Sequence, residues 1–229
     1  SPKPSLEDIK SDIKDIDIIW ISHEHPDHLH FPTLKWIAEF IEKDVEIYFQ
    51  ENNSFKVFGA LKKLGYQSFV SMPHLSKIPI TSNVKLACYA HRHLDSSLAV
   101  FIKDNFWLLD VNDTELNEND IKIIKNEFGK PTVLYNQFSI AGSNGIETSL
   151  RSDSVTVLDK MRQHHKSLSA KISVPIASFV RFSRYDNAYM NDYVNTVFDA
   201  KNIFQESNLQ LVLQKIGGDY LEWEDINEV

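Results

Sequence analysis

The sequence contains one cysteine, Cys88, and no apolar run that approaches the roughly 20 residues of a membrane-spanning helix. A single cysteine can form no intrachain disulfide and cannot supply the thiolates of an iron–sulfur cluster. Cys88 lies in the apolar stretch VKLACY, which predicts a strand and a buried, inert thiol. These absences predict a protein without a membrane partner and favour a reducing, cytoplasmic setting.

Positive charge is also scarce, because 24 Lys and Arg stand against 32 Asp and Glu, for a formal net charge of -8. Proteins that bind nucleic acid usually carry a basic footprint, so this balance predicts no nucleic-acid partner. It equally argues against a polybasic membrane surface. A small anionic substrate remains compatible with it, since a bound dication and a few local basic residues can invert the local field.

Strand-like and helix-like segments alternate along the 229 residues, which predicts an α/β fold. No repeat or long linker interrupts the pattern, so we expect a single domain over residues 1–229. The predicted strands are 17–22, 45–49, 67–72, 84–90, 97–103, 106–110, 132–135 and 172–179. The predicted helices are 32–42, a second capped by Asn53 or Ser54 and running to Leu64, 117–128, 152–166 and a late one within 199–216.

The segment with the most distinctive chemistry is HEHPDH, residues 23–28, directly after the first predicted strand. A loop in that place can turn several side chains toward one point. Imidazole and carboxylate donors together suit Zn, Fe or Mn better than Ca or Mg, which prefer oxygen ligands. Four such donors can serve two metals about 3.5–4 Å apart. The plain alternative is a histidine-rich surface turn, but the strand before and the helix after it favour a metal site.

The spacing His-x-His-x-Asp-His resembles, residue for residue, the signature of the metallo-β-lactamase superfamily. The resemblance implies an αββα sandwich with a dinuclear transition-metal centre, Fe or Zn, with Mn as a further choice. It implies that His23 and His25 hold one metal, and Asp27 and His28 the other. The fold normally opens with several strands, whereas only residues 1–22 precede the loop here, so the first strands are expected to be missing. Either the sequence is a fragment of a longer protein, or these strands are lost or supplied by a partner. A sheet edge left open in this way would favour a homo-oligomer.

The same resemblance assigns the further ligands. A histidine before a strand comes next, for which His93 is the first choice and His91 the alternative. If one strand runs through both, they face the same side, and the unused one would lie behind the ligands. A bridging aspartate then follows as Gly-Asp, and Asn112-Asp113 stands in that place, so Asp113 is expected to bridge the metals. Asp110 is expected to be structural or to support the ligands from behind.

The last ligand of hydrolytic members is a histidine after a late strand, and Ala177 stands where it is expected. No histidine follows His165, so one metal position is expected to be incomplete. His164 and His165 lie within a predicted helix, where a solvated face is the plain expectation.

Weaker motifs favour one branch of the superfamily. Residues 112–113, 137–142, 187–192 and 195–196, with the segment HEHPDHLHFPTL, resemble the CMP-N-acetylneuraminate hydroxylase-like proteins. That branch uses the fold for iron and oxygen chemistry, and the full-length hydroxylase carries a separate Rieske domain. The single cysteine here cannot ligate a Rieske cluster.

Polar residues near the end of this stretch are candidates for substrate binding. Arg181 and Arg184 could clamp a phosphate or carboxylate, because arginine binds both in bidentate fashion, although plain surface arginines fit equally well. Asn187, Asn191 and Asn195 fall four residues apart and would share one face of a helix.

These observations predict a metalloenzyme and leave three functions open. The first is an iron oxygenase or hydroxylase, which requires an external electron donor because no redox-cofactor motif is present. The second is a Zn- or Mn-dependent hydrolase of a phosphoester, lactone or amide, in which the metal lowers the pKa of water to about 7 and Asp27 orients that water. The third is a non-catalytic domain with a vestigial site, which the absent late histidine favours.

Overall fold

The structure is a computed structural model that describes residues 6–41, 45–52, 54–91, 95–102, 106–142, 147–177 and 180–213. It divides into two compact units, the first ending at Phe101 and the second beginning at Ile102. Both units mix helices with strands, so the α/β class expected from the sequence is confirmed. The single domain over residues 1–229 stays a prediction. Within the described residues, no helix is both long enough and apolar enough to cross a membrane.

The first unit joins a parallel sheet to an antiparallel one. Its elements are α1 Leu6–Lys14, β1 Ile18–Ile21, α2 Phe31–Ile37, β2 Glu46–Gln50, α3 Ser54–Lys62, β3 Ser68–Met72, β4 Ile78–Pro79, β5 Lys85–His91 and β6 Asp95–Phe101. Strands β1, β2 and β3 are parallel, and β4, β5 and β6 are antiparallel. Because the parallel strands share one direction, their carboxyl ends lie at one edge, where ligands bind in α/β sheets.

Two apolar layers explain why this unit forms. On one face of the parallel sheet, Ile47 and Phe49 pack with Leu61 and other residues of α2 and α3. On the other face, Tyr48 packs with residues of the antiparallel strands, among them Cys88. The thiol is buried as predicted, and burial raises its pKa to about 12, so it stays protonated and inert at neutral pH.

The second unit is built on three parallel strands. Its elements are β7 Trp107–Asp110, α4 Glu118–Phe128, β8 Val133–Gln137, α5 Glu147–Leu168, β9 Ile172–Ile176, a 3₁₀ turn at Ala188–Asp192 and α6 Val197–Glu206. Strand β8 pairs with β7 on one side and β9 on the other. Apolar side chains of the three strands pack together, and Phe138 forms a second cluster with Met161 of α5 and Phe204 of α6.

Several expected boundaries differ from those observed. Helix α2 ends at Ile37, five residues before the expected end at residue 42, because the N–H groups of Glu39 and Phe40 bond to carbonyls three residues back and form a turn. Strand β9 ends at Ile176, since Ala177 has a φ of 54° and leaves the extended conformation. The three asparagines 187, 191 and 195 do not share one α-helix, because a short 3₁₀ turn holds only the middle one.

The expected solvated face at His164 and His165 is wrong, since both side chains are buried. His164 contacts the Asn136 amide through Nδ1 at 3.0 Å and the Leu116 carbonyl through Nε2 at 3.1 Å. His165 Nδ1 lies 2.8 Å from Ser173 Oγ. Burial lowers the pKa of both imidazoles, so they are neutral structural groups at neutral pH.

Candidate metal centre

The histidine-rich loop begins where β1 ends, at the carboxyl edge of the parallel sheet. Ser22 and His23 are still buried, whereas residues 25–27 are exposed. The chain then turns back, because the His25 carbonyl accepts hydrogen bonds from the main-chain N–H groups of both His28 and Leu29, at 2.9 and 2.7 Å. This tight turn returns Leu29 to the core and places the His28 ring 4.2 Å from that of His23.

Three atoms that could bind a metal converge at the base of this loop. His23 Nε2 lies 2.8 Å from His25 Nδ1 and 3.7 Å from Asp95 Oδ1, and all three donor atoms lie within 4.8 Å of one another. Two nitrogen ligands at about 2.0–2.1 Å from a tetrahedral metal are separated by roughly 3.3 Å. The observed separations lie on either side of that value, so the donor set fits a transition-metal ion.

Asp95 is a candidate ligand that the sequence did not reveal. It is the first residue of β6 and pairs with His91, the last residue of β5. Its Oδ1 atom is buried and makes no hydrogen bond within the described residues. The Asp95 side chain is 27% exposed and Oδ1 lies 3.7 Å from His23 Nε2, so a bound cation would satisfy this buried oxygen. The hairpin register was the one signal that could have found it, because that register sets Asp95 opposite a predicted histidine.

The other sequence-predicted residues of this unit are placed differently. His93 lies outside the described residues. His91 is buried at the end of β5, and its role as an alternative ligand or a supporting group stays a prediction. The Asp27 side chain is 75% exposed, and its Oδ2 atom lies 3.7 Å from His28 Nε2. Asp27 therefore does not join the cluster of His23 and His25 with Asp95, and its ligand and catalytic roles stay predictions.

Ser22 anchors the loop from behind. Its hydroxyl oxygen lies 3.0 Å from His23 Nδ1 and 3.3 Å from His28 Nδ1. Its main-chain carbonyl accepts hydrogen bonds from Ser96 Oγ at 2.6 Å and from Gln50 Nε2 at 3.3 Å. These contacts tie the start of the loop to strands β2 and β6.

The predicted bridging aspartate lies in the second unit, in a turn after β7. Asp110 accepts a hydrogen bond from the main-chain N–H of Asn112 at 2.9 Å, and this bond shapes the turn. Asn112 has a φ of 55°, a conformation that favours glycine and asparagine, which fits the expectation that it stands in the place of a glycine. Asp113 accepts a hydrogen bond from Gln137 Nε2. Its bridging role and the supporting role of Asp110 stay predictions.

The predicted substrate-binding residues stabilise their own loop. The Asn191 side chain donates to the Phe182 carbonyl at 2.7 Å and accepts from its N–H at 2.9 Å. Asn187 Oδ1 accepts from the main-chain N–H of Arg184 at 3.1 Å. The Arg184 guanidinium is exposed and pairs with Asp186, and Arg181 is exposed. Substrate binding by these residues stays a prediction.

No protein-family model matches the sequence, and no curated protein matches it either. Solved structures do match, and they define the class of fold. One is the metallo-β-lactamase fold protein YhfI from Bacillus subtilis, with a TM-score of 0.55 at 13% identity, over 88% of this chain and 76% of that one. The chain therefore has the metallo-β-lactamase fold, and the predicted fold class is confirmed.

Two further matches are enzymes of different chemistry. The isothiocyanate hydrolase from Delia radicum gut bacteria matches with a TM-score of 0.64 and 13% identity, over 91% of this chain and 77% of that one. CmlA, a diiron β-hydroxylase from Streptomyces venezuelae, matches with a TM-score of 0.58 and 12% identity, over 88% of this chain. The match spans 44% of CmlA, less than half of its length. At these identities the likeness shows the fold alone.

Proposed function

We propose that the protein is a metalloenzyme that holds iron with His23, His25 and Asp95, and that it is an oxygenase or hydroxylase. The donor set carries this proposal, because two imidazole nitrogens and one carboxylate oxygen lie within 4.8 Å of one another. Two histidines and one carboxylate with open positions are typical of non-haem Fe(II) oxygenases. When bound, iron would supply the redox chemistry that activates dioxygen. We also propose that the protein is related to the hydroxylase-like branch of the superfamily, which the sequence predicts.

The chain's own residues form a buried side and an exposed side of the site. His23 and the Oδ1 atom of Asp95 are buried, so they exclude water from the inner side. His25 is exposed, so metal and a small substrate reach the site from its side. Asp27 is also exposed, and its carboxylate lies 3.7 Å from the His28 imidazole, where it can hold or deliver a proton. That proton transfer is the catalytic role we propose for Asp27.

A second metal completes the proposal. His28 and Asp27 would hold it, Asp113 would bridge the two ions, and His93 or His91 would add a ligand. The adjacent rings of His23 and His28, with centroids 4.2 Å apart, support this arrangement, because they bring one predicted ligand of each metal close together. Two dications create a strongly positive field, which favours a small anionic substrate. The proposed oxygenase also requires an external electron donor.

A hydrolase is the second candidate, and the same donor set favours it. Two histidines and a carboxylate also bind zinc in hydrolytic enzymes, where the metal activates a water molecule. The identity of the metal therefore separates the two functions more sharply than the geometry does.

Metal analysis of protein purified without chelators and under anaerobic conditions tests the proposal. Retained iron, with an absorbance change on reduction, supports the hydroxylase. Retained zinc, with activity on a generic phosphodiester, contradicts iron and supports the hydrolase.

Variants Asp95→Asn and His23→Gln should lose the metal in either case. His30→Gln is the matched control, because His30 is exposed and caps α2 through Thr33. A parent protein that retains no transition metal would overturn both functions and leave a non-catalytic domain.

A further inference from the structure

Ser22 lies between β1 and the metal-binding loop, with 3% of its surface exposed. Its hydroxyl oxygen contacts two imidazoles at once, His23 Nδ1 at 3.0 Å and His28 Nδ1 at 3.3 Å. The two rings lie 4.2 Å apart and are tilted by 36°. One hydroxyl thus contacts the Nδ1 atom of two predicted metal ligands.

The effect of this contact depends on which nitrogen of each ring carries the proton. A neutral imidazole carries one proton, so a ring that binds a metal through Nε2 must keep its proton on Nδ1. An Nδ1–H group donates, and a hydroxyl oxygen has two lone pairs, so Ser22 Oγ can accept from both rings. In the alternative arrangement Ser22 accepts from one ring and donates to the other. The second ring would then carry its proton on Nε2, where it blocks the metal.

The main chain of Ser22 is held from two strands. Its carbonyl accepts from Ser96 Oγ at 2.6 Å and from Gln50 Nε2 at 3.3 Å. Ser96 follows Asp95 in β6, so the same strand supplies a candidate ligand and restrains Ser22. The hydroxyl is therefore kept in one place relative to the donor atoms around it.

We propose that Ser22 is a positioning residue that keeps His23 and His28 in the tautomer with the proton on Nδ1 and Nε2 ready for metal. The inference rests on the proposed function in one respect, which is that the two Nε2 atoms are metal ligands. Ser22 itself contacts neither metal nor substrate. It orients the ligands, and hydrogen-bonded partners of this kind typically contribute 10–100-fold to metal affinity.

The tautomers of the metal-free parent protein are the first test. Nitrogen-15 NMR of the histidine rings, at a pH above the ordinary imidazole pKa of about 6.5, shows which nitrogen carries the proton. His23→Gln and His28→Gln assign the two signals. We expect the proton on Nδ1 in both rings. A proton on Nε2 in either ring would overturn the proposal, and this result needs no variant of Ser22 that folds.

Metal affinity is the second test, measured by competition with a chromophoric chelator. Ser22→Ala should weaken metal binding by about 10–100-fold, and Ser22→Thr, which restores a hydroxyl, should recover most of it. The control is Ser173→Ala, which removes another buried serine hydroxyl beside a histidine, 2.8 Å from His165 Nδ1. It should leave metal affinity unchanged.

The outcomes separate this inference from the proposed function. Parent-like affinity in a folded Ser22→Ala protein would contradict the positioning role even if the parent binds metal well. A parent protein that binds no metal would contradict the proposed function, while the ring tautomers would still decide what Ser22 does. Equal losses of affinity in Ser22→Ala and Ser173→Ala would indicate a general effect of stability and would also contradict the proposal.

Discussion

Two groups of histidines, one in the loop after β1 and one in α5, show how the same residue type can serve opposite purposes. In the loop after β1, His23 Nε2 faces His25 Nδ1 at 2.8 Å and a buried carboxylate oxygen of Asp95 at 3.7 Å. In α5, His164 directs its two ring nitrogens at an amide and a carbonyl of the protein, at 3.0 and 3.1 Å. The loop brings donor atoms together, whereas the helix gives each nitrogen of His164 a separate partner.

The difference lies in what each arrangement leaves for a ligand. A neutral imidazole with one donor and one acceptor nitrogen is satisfied by one acceptor and one donor, which is what His164 has. In the loop, His23 Nε2 and His25 Nδ1 are each other's hydrogen-bond partner at 2.8 Å, and Asp95 Oδ1 makes no hydrogen bond within the described residues. A cation could take the place of that hydrogen bond and bind all three donor atoms. Convergence of donor atoms is therefore the feature that marks a candidate metal centre, and burial alone does not.

The largest expected effect comes from replacing one histidine of each group, which tests both sides of the comparison. His23→Gln should weaken metal binding by more than about 100-fold, which is the largest loss of affinity expected when only a supporting hydrogen-bond partner is removed. The loss should be larger here because His23 is itself a proposed ligand. Its unfolding free energy without metal should also fall, because His23 is fully buried and contacts Ser22 and His25, so metal affinity is the property that separates the two variants. His164→Gln should keep the metal and lose about 1–3 kcal/mol of stability, since buried partners lose their hydrogen bonds. Chelator competition and urea unfolding of both variants provide the measurement.

The reverse pattern would refute the distinction. If His164→Gln released metal, or if His23→Gln kept it, the convergence seen in the loop would not identify the ligands.

The Asp113 carboxylate extends the comparison into the second unit. Asp113→Asn keeps the shape but removes the charge that offsets two dications, and an amide oxygen is a poor bridge. We expect half of the metal to be lost first, with the ion at His23 and His25 held more weakly. The fold should persist, because Asn117 and not Asp113 caps α4. Metal-to-protein ratios measured beside melting curves give the answer, and an unchanged ratio would leave Asp113 without a bridging role.

Local pattern predicted part of this picture because local sequence determines it. Strand β1, the loop after it and the buried Cys88 follow from an apolar run, a dense cluster of donors and an apolar neighbourhood. Asp95 could not be found in this way, because its place depends on pairing with β5. The burial of His165 in α5 depends on Phe204 of α6 and Ser173 of β9, and the local sequence of α5 does not show either contact.

The 3₁₀ turn at Ala188–Asp192 shows a different limit. Spacing by four residues fits an α-helix, but Thr196 and Asp199 form a capping box that starts α6 at Val197. The box keeps Asn195 out of the helix, and the Asn195 side chain donates to the carbonyls of Phe138 and Ser154. A capping signal therefore carried more information here than the spacing of the asparagines.

The pH dependence of stability sharpens the comparison for the metal-free protein. Burial lowers the pKa of His164 and His165, so the unfolded chain binds more protons than the folded one below the ordinary pKa of about 6.5. The free energy of unfolding should therefore fall as the pH drops from neutrality through that value toward the lowered pKa. Urea unfolding at pH 8 and pH 5.5 measures the change. His164→Gln should show a weaker pH dependence than the parent, and an equal dependence would contradict the assignment.

The smallest expected effect comes from adding a histidine at Ala177, where the sequence resemblance predicts the last ligand of hydrolytic members. Ala177 follows β9 with a φ of 54° and an exposed side chain. Histidine is among the residues enriched at such a φ, so Ala177→His should be tolerated by the backbone. We expect it to raise metal occupancy or to shift selectivity toward zinc. Ala177→Gly is the control, because it relieves a left-handed conformation and should stabilise the fold by roughly 1 kcal/mol without changing metal content. Metal analysis after equal exposure to iron and zinc compares the three proteins. Identical metal content in Ala177→His and Ala177→Gly would mean that residue 177 does not lie at the metal centre, and that an added imidazole there meets no converging donors.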